Sequence, residues 1–183
     1  MKRIFVAVNL PENLKETLLR YQEQWPDLPA HWTKKENLHI TLQFLGNVSE
    51  KELEKIAQEF VLVGEKHLTF EGIFQQIVYG PTKVRPSMIW ALLQEPSFLL
   101  LLQKDIYKAV SSILDVAKQP FIPHVTLAKL RQFEFQRLEL EEWPIIEEEI
   151  SLPFSVQSFE IMESKLNTRE PEYAVIQSIL LKH

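Results

Sequence analysis

The alternation of apolar and polar residues along the chain predicts strands and helices in mixed order. Residues 3–10 alternate as a strand does, and a helix follows from Pro11 to about Gln24. Ser49 and Glu52 form a capping-box pattern that begins a second helix. That helix ends near residue 62, and a third helix covers about 96–114. The other predicted elements are strands at about 38–45, 67–78, 87–93, 123–130, 155–163 and 173–181.

The order of these elements indicates the fold class. Adjacent strands occur as hairpins, and the regular repetition of strand, helix and strand that builds parallel sheets is missing. No repeat of about 20 to 50 residues is visible. The pattern therefore predicts an α+β protein with largely antiparallel sheets, together with an acidic stretch between the fifth and sixth predicted strands.

One short pattern occurs twice. The tetrad His-x-Thr-Leu begins at His39 and again at His124, 85 residues later. Side chains alternate along a strand, so His39 shares a face with Thr41, and His124 shares a face with Thr126. Duplication of a fold would preserve the apolar spacing but gives no reason to preserve the polar face. We therefore interpret the two histidines as functional, the alternative being half-buried strand residues bonded to their neighbours.

Two imidazoles suit paired proton transfer near neutral pH, one uncharged as the base and one charged as the acid. If the strands meet in one groove, one histidine activates water and the other protonates a departing oxygen, while Thr41 and Thr126 hold a phosphate. The sequence leaves open which histidine is which. A zinc site on His39 and His124 is an alternative without an evident third ligand, so we expect no metal and no cofactor.

Composition excludes several classes of protein. The chain has 4 glycines and none after Gly80, so neither G-x-G-x-x-G nor G-x-x-x-x-G-K-[ST] can be written. It has no cysteine, which excludes a disulfide scaffold and a thiol nucleophile and favours a reducing, cytoplasmic location. No apolar run approaches the roughly 18 residues that a membrane span needs, so no membrane association is expected.

The two motifs in their context resemble those of the 2H phosphoesterases, a superfamily named for paired histidine motifs. Within it the chain is similar to the RNA 2′,3′-cyclic phosphodiesterase group, also called LigT-like or 2′-5′ RNA ligase-like. The segments that carry the resemblance are Arg3–Pro11, Trp32, Glu36–Gly46, Ile89–Trp90, Phe121–Lys129, Ser164–Leu166 and Tyr173.

The resemblance implies a fold. Residues 1–183 would form a single bilobal domain, with two pseudo-symmetric lobes of largely antiparallel sheet and flanking helices around a central cleft. Each lobe would contribute one His-x-Thr-Leu strand.

The resemblance also implies an activity, the metal-independent hydrolysis of RNA or nucleoside 2′,3′-cyclic phosphates to 2′-phosphates. Carried over by motif, His39 and His124 are the catalytic pair, and Thr41 and Thr126 bind phosphate. Lys129 stands where relatives often have arginine, and it keeps the positive charge for a phosphate.

Aromatic residues near these segments are candidates for stacking a nucleobase, a contact that tolerates any base sequence. Each of them has a core position as its alternative. The candidates are Phe5, Trp32, Phe121 and Tyr173.

The expected partners are RNA 3′ ends or nucleotides that carry a 2′,3′-cyclic phosphate, bound by a monomer. The net charge of −5 is concentrated in Glu134–Glu149, so the rest of the chain is close to neutral and can hold a local anion site. Two other functions stay open at this point. One is 2′-5′ RNA ligation or phosphoesterase action on another cyclic phosphate, and the other is non-catalytic binding of phosphorylated RNA ends.

Overall fold

The computed structural model describes residues 1–118, 120–165 and 172–183. The strands are β1 (Lys2–Asn9), β2 (Ala30–Trp32), β3 (His39–Val48), β4 (Phe70–Gly80), β5 (Met88–Leu93), β6 (His124–Leu130), β7 (Glu147–Val156), β8 (Ser158–Lys165) and β9 (Glu172–Leu180). The helices are α1 (Glu12–Arg20), α2 (Glu50–Gly64), α3 (Ser97–Ser111) and α4 (Gln132–Phe135), and short 3-10 turns cover Tyr21–Gln24, Lys35–Asn37 and Leu140–Glu142.

The strands of the described residues form one nine-stranded sheet in the order β7-β4-β5-β6-β3-β1-β8-β9, with β2 paired to the outer part of β6. The pairs between these strands are antiparallel. The α+β prediction is therefore confirmed. Apart from β2, the sheet has two halves of four strands each, which meet where Ile40 of β3 pairs with Val125 of β6.

The two halves are related by a pseudo-twofold axis through this junction. Strand β3 corresponds to β6, β1 to β5, β8 to β4 and β9 to β7, because each pair occupies the same place counted outward from the centre. The expected pseudo-symmetric lobes are thus halves of one continuous sheet.

The two faces of the sheet differ in what covers them. Ile4, Val6 and Val8 of β1 point into the main core, which also contains the buried sides of α1, α2 and α3. Phe5 and Ala7 point the other way and form a small separate cluster with Met162 and the half-buried Tyr173. No helix of the described residues is both long enough and apolar enough to cross a membrane.

The predicted capping box at the start of α2 is confirmed. The Ser49 hydroxyl accepts a hydrogen bond from the Glu52 backbone N–H at 3.4 Å, and Glu52 Oε2 accepts one from the Ser49 backbone N–H at 2.8 Å. Two unpaired donors at the helix start are satisfied in this way. Because α2 follows β3 directly, the cap also fixes where the central strand ends.

Several predicted boundaries are wrong. The single strand predicted over 155–163 is the end of β7 and most of β8, which are separated at Gln157. The first helix ends at Arg20 and continues only as a 3-10 turn. No strand is predicted at Glu147, where β7 begins, because three successive glutamates are unfavourable in a strand. Strand β7 lies at the sheet edge, where charged side chains discourage pairing with another chain.

Candidate active site

The junction between the two halves brings the duplicated motifs together. Ile40 and Val125 are paired and fully buried in the main core. One residue along each antiparallel strand from this pair, His39 lies level with Thr126, and Thr41 lies level with His124. Since neighbouring side chains alternate, all four polar residues lie on the face opposite the main core.

Each motif strand then contains a β-bulge at its leucine. On β3, Ala7 pairs with Thr41 and Val6 pairs with Gln43, so Leu42 is the extra residue. A bulge of this kind reverses which face the later residues present.

The bulge on β6 is equivalent to the one on β3. Trp90 pairs with Thr126 and Ile89 pairs with Ala128, so Leu127 is the extra residue. The structural equivalence of the two motifs therefore extends from the histidine through the leucine.

The bulges bring the third residue after each threonine onto the polar face. That residue is Phe44 on β3, which pairs with Phe5, and Lys129 on β6, which pairs with Met88. Without the bulge, Lys129 would lie on the core side of β6. The predicted phosphate ligand Lys129 therefore shares a face with His124 and Thr126, and it is exposed.

The two histidines make the same hydrogen bond. His39 Nδ1 lies 2.7 Å from the carbonyl oxygen of Asn37, and His124 Nδ1 lies 2.7 Å from that of Ile122. A carbonyl only accepts, so Nδ1 carries the hydrogen in both rings, and Nε2 holds the lone pair when the ring is uncharged. Nε2 of His39 lies 2.9 Å from Thr41 Oγ1, which donates to it in that state.

His39 is enclosed by aromatic rings. The centroids of Phe5 and Tyr173 lie 5.1 and 5.2 Å from that of His39. Burial lowers the pKa of His39 from 6.5 to about 4, and the charges of Lys15 and His124 act in the same direction. The hydrogen bond to Asn37 opposes this shift without cancelling it. His39 is therefore an uncharged imidazole at neutral pH.

His124 has a different neighbourhood. Its ring stacks on Trp90 with centroids 3.9 Å apart and planes inclined by 22°. Trp90 Nε1 donates to Met88 Sδ at 3.4 Å, and Thr126 Oγ1 lies 3.9 Å from the same sulfur. Burial lowers the pKa of His124 as well, against the opposing hydrogen bond to Ile122.

The predicted aromatic residues separate into two pairs. Phe5 and Tyr173 line the His39 side of the polar face, with ring centroids 5.0 Å apart. Trp32 pairs with Ala128 and packs against the main core, and Phe121 also packs against that core. Among the described residues, no ring contact joins Trp32 or Phe121 to either histidine.

Sequence reasoning missed three residues of this face as site candidates. Trp90 stacks on His124, and Phe44, which is 65% exposed, lies beside Phe5 with centroids 6.1 Å apart. Lys15 is buried near His39. A bulge cannot be read from alternation, so Phe44 could not be assigned to this face in advance. Lys15, however, falls on the same side of the amphipathic helix α1 as Leu14 and Leu18, and the sequence did contain that signal.

The described residues contain no group of three histidine, cysteine or acidic side chains positioned to hold a metal ion. Leu166, the last residue of one segment that carries the resemblance, lies with the rest of 166–171 outside the described residues.

Comparison with known proteins finds relatives of this chain. The family model for LigT like Phosphoesterase matches residues 8–90, which include β3 and the first half of β5. Over these residues the chain is similar to the LigT-like phosphoesterases. An RNA 2′,3′-cyclic phosphodiesterase of Thermotoga maritima is 25% identical to this chain, over 95% of the chain and 92% of that relative.

Two further relatives extend the likeness to nearly the whole chain. An RNA 2′,3′-cyclic phosphodiesterase of Methanocaldococcus jannaschii is 26% identical, over 96% of this chain and 98% of that relative. The crystal structure of the protein TT0787 of Thermus thermophilus superposes with a TM-score of 0.84 at 25% identity, over 98% of each chain.

Proposed function

We propose that this protein hydrolyses the 2′,3′-cyclic phosphate of RNA 3′ ends or nucleotides and leaves a 2′-phosphate. The observation that carries the proposal is the pair of equivalently bonded imidazoles, His39 and His124, on one face of the sheet. Each stands beside a threonine hydroxyl that can donate to a phosphate oxygen. The relatives named RNA 2′,3′-cyclic phosphodiesterase support the choice of substrate.

In the proposed reaction His39 is the general base. Its Nε2 is uncharged because burial lowers the pKa of the ring to about 4. The lone pair accepts a proton from water as the water oxygen forms a bond to phosphorus. The bond between phosphorus and the 3′ oxygen breaks as the new bond forms.

His124 is the proposed general acid. It is the less buried of the two rings, so its charged form is disfavoured less. An anionic phosphate beside it favours the imidazolium, because an opposite charge stabilises the charged form. His124 Nε2 then gives its proton to the departing 3′ oxygen, which becomes the free hydroxyl.

The phosphate is held by the groups that flank the histidines. Thr41 and Thr126 can donate hydrogen bonds to its non-bridging oxygens, and the Lys129 ammonium supplies a positive charge from the same face. Phe5 and Tyr173 form an apolar wall on the His39 side, and the half-buried Tyr173 ring is the part on which a base can stack.

The test is the product formed from a 2′,3′-cyclic mononucleotide in EDTA, followed by phosphorus NMR. We expect the 2′-phosphate, and we expect His39→Ala and His124→Ala each to lose about 10²- to 10⁴-fold in kcat. A 3′-phosphate product, or full activity in both variants, contradicts the proposal. Unchanged substrate with salt-dependent binding would identify a binding module instead.

His67→Gln is the matched control. His67 also pairs with a polar partner, Asp105 Oδ2 at 3.1 Å, but it lies between α2 and β4, away from both motif strands. We expect the control variant to retain wild-type activity.

We also propose that residues 1–183 act as one bilobal unit, in the cytoplasm and as a monomer. The paired strands β3 and β6 support this, since each half of the sheet supplies one His-x-Thr motif. The absence of cysteine suits a reducing compartment. Light scattering of the purified chain tests the monomer, and a dimer mass would contradict it.

A further inference from the structure

Lys15 is a charged residue in a place where charges are costly. Its side chain is only 4% exposed, and burying an ammonium is unfavourable unless it is paired. Lys15 Nζ lies 3.2 Å from Glu12 Oε1, whose side chain is 70% exposed. The compensating carboxylate therefore lies on the solvent side of the buried charge.

The helix face that carries Lys15 packs against the turn in front of β3. Glu12, Lys15 and Glu16 share one face of α1 because their spacing is three and four residues. Lys35 Nζ lies 3.1 Å from Glu12 Oε2 and 2.8 Å from Glu16 Oε1. These ion pairs join α1 to the turn Lys35–Asn37.

This turn also positions His39. The Asn37 carbonyl accepts the Nδ1–H of His39 at 2.7 Å, and the histidine follows two residues later as the first residue of β3. Lys15 Nζ and Lys35 Nζ bind the two oxygens of the same Glu12 carboxylate, at 3.2 and 3.1 Å, so the buried ammonium lies beside the turn that bonds to His39. A positive charge there disfavours a second positive charge on the imidazole.

We propose that Lys15 is a positioning residue, whose buried ammonium, held by Glu12 against the 35–37 turn, keeps the His39 imidazole uncharged and its Nε2 lone pair available. The consequence for turnover rests on the proposed function. The electrostatic effect itself does not. The direction of the His39 pKa shift, to which the Lys15 charge contributes, agrees with this role.

Other charged and titratable groups also face His39. The charge of His124 from β6 acts in the same direction as that of Lys15. Tyr173 from β9 is uncharged near neutral pH, since burial raises its pKa, and Arg3 from β1 acts on that tyrosine. On β8 the buried Glu160 accepts a hydrogen bond at 3.0 Å from the backbone N–H of Asn9, the β1 residue that pairs with His39. None of the hydrogen bonds or ion pairs found among the described residues joins a carboxylate to the imidazole itself.

The experiment is an NMR titration of the His39 ring in the full chain. We expect Lys15→Met and Lys15→Gln each to raise the midpoint of the His39 titration by about one pH unit and to leave His124 unchanged. Both replacements keep good helix propensity, and glutamine can still hydrogen-bond Glu12. If one variant does not fold, the other decides the outcome.

Two control variants separate charge from packing. Lys15→Arg keeps the charge and should titrate as wild type does. Lys108→Met removes an exposed cation that pairs with Asp105 on α3, outside the contact between α1 and the 35–37 turn, and should leave the His39 midpoint in place. A folded Lys15→Met or Lys15→Gln chain with an unchanged midpoint overturns the proposal, and so does an equal shift in Lys108→Met.

The same variants have an expected effect on activity. The acidic limb of the kcat/KM profile should move to higher pH in Lys15→Met, in parallel with the NMR midpoint, and return in Lys15→Arg. The NMR titration needs no turnover. A chain without hydrolytic activity would therefore contradict the proposed function and leave the test of Lys15 intact.

Discussion

The His39 half and the His124 half of the sheet share a backbone and differ in what surrounds the imidazole. Both place a histidine two residues before a threonine, bond Nδ1 to the carbonyl two residues earlier, and carry a bulge at the following leucine. Around His39 lie Phe5 and Tyr173, whereas His124 stacks on Trp90. The symmetric backbone places the two rings equivalently, and the asymmetric surroundings give them different proton affinities.

The pairing partners show how the surroundings of His39 and His124 come to differ. Phe5 on β1 and Met88 on β5 occupy equivalent places, paired with Phe44 and Lys129. The next strand outward presents Met162 to Phe5 but Gly80 to Met88. Met162 packs with Phe5 in the small cluster, and Gly80 leaves room on the His124 side for the indole of Trp90.

The largest effect should come from removing either imidazole. If one ring is the base and the other the acid, kcat/KM should fall by about 10²- to 10⁴-fold in both His39→Ala and His124→Ala, although the surroundings of the two rings differ. The double variant should lose little more than either single variant, because groups that act as a unit are not additive. Measurement of kcat/KM on a cyclic mononucleotide checks this, and multiplicative losses would indicate independent roles.

A smaller loss is expected from the threonines. Thr41→Val and Thr126→Val each remove one donor to the phosphate and should lower kcat/KM by about 10- to 100-fold. Thr41→Val also removes the hydrogen bond to His39 Nε2, so it should be the more damaging of the two. Serine at either position keeps the hydroxyl and serves as the control. Equal activity of the valine and serine variants would argue against phosphate contacts.

The smallest effect should be confined to the His124 half. A Cβ at Gly80 would lie 2.6 Å from Cε3 of Trp90, so Gly80→Ala should displace the ring under His124. We expect a loss of about 1 to 3 kcal/mol in the free energy of unfolding and a several-fold loss of kcat.

Gly72→Ala is the matched control for this displacement. Gly72 lies on the same strand as Gly80, away from the histidines, and a Cβ there would lie 2.8 Å from Phe154 Cε1. The variant should therefore destabilise the fold without lowering activity per folded molecule. Equal kcat losses in the two variants would show that Trp90 has no special part.

The sequence was sufficient for the fold class and for the four polar residues at the junction. The duplicated tetrad predicts a shared face for each His-Thr pair, and the structure places His39, Thr41, His124 and Thr126 around one strand junction. Such prediction works where alternation is regular, because burial of Ile40 and Val125 fixes the register.

Other features could not be predicted from local pattern. The bulges that bring Phe44 and Lys129 to the polar face depend on how β1 and β5 pair, which alternation does not encode. Strand β7 begins with glutamates that suit an edge position and hide its strand character. The ion pairs of Lys35 with Glu12 and Glu16, beside the buried Lys15, are contacts between distant segments.

The pH dependence of kcat/KM, which reports on the free enzyme, tests the proposed division of labour most directly. His39 must be uncharged, and its pKa is about 4, so activity should fall below about pH 4. His124 must be charged, and its pKa lies below the usual 6.5, so activity should also fall as the pH rises through that lowered value. The account predicts a bell-shaped profile in EDTA with its maximum on the acidic side of neutrality. A profile that is flat from about pH 4 to pH 9, or highest at alkaline pH, would contradict it.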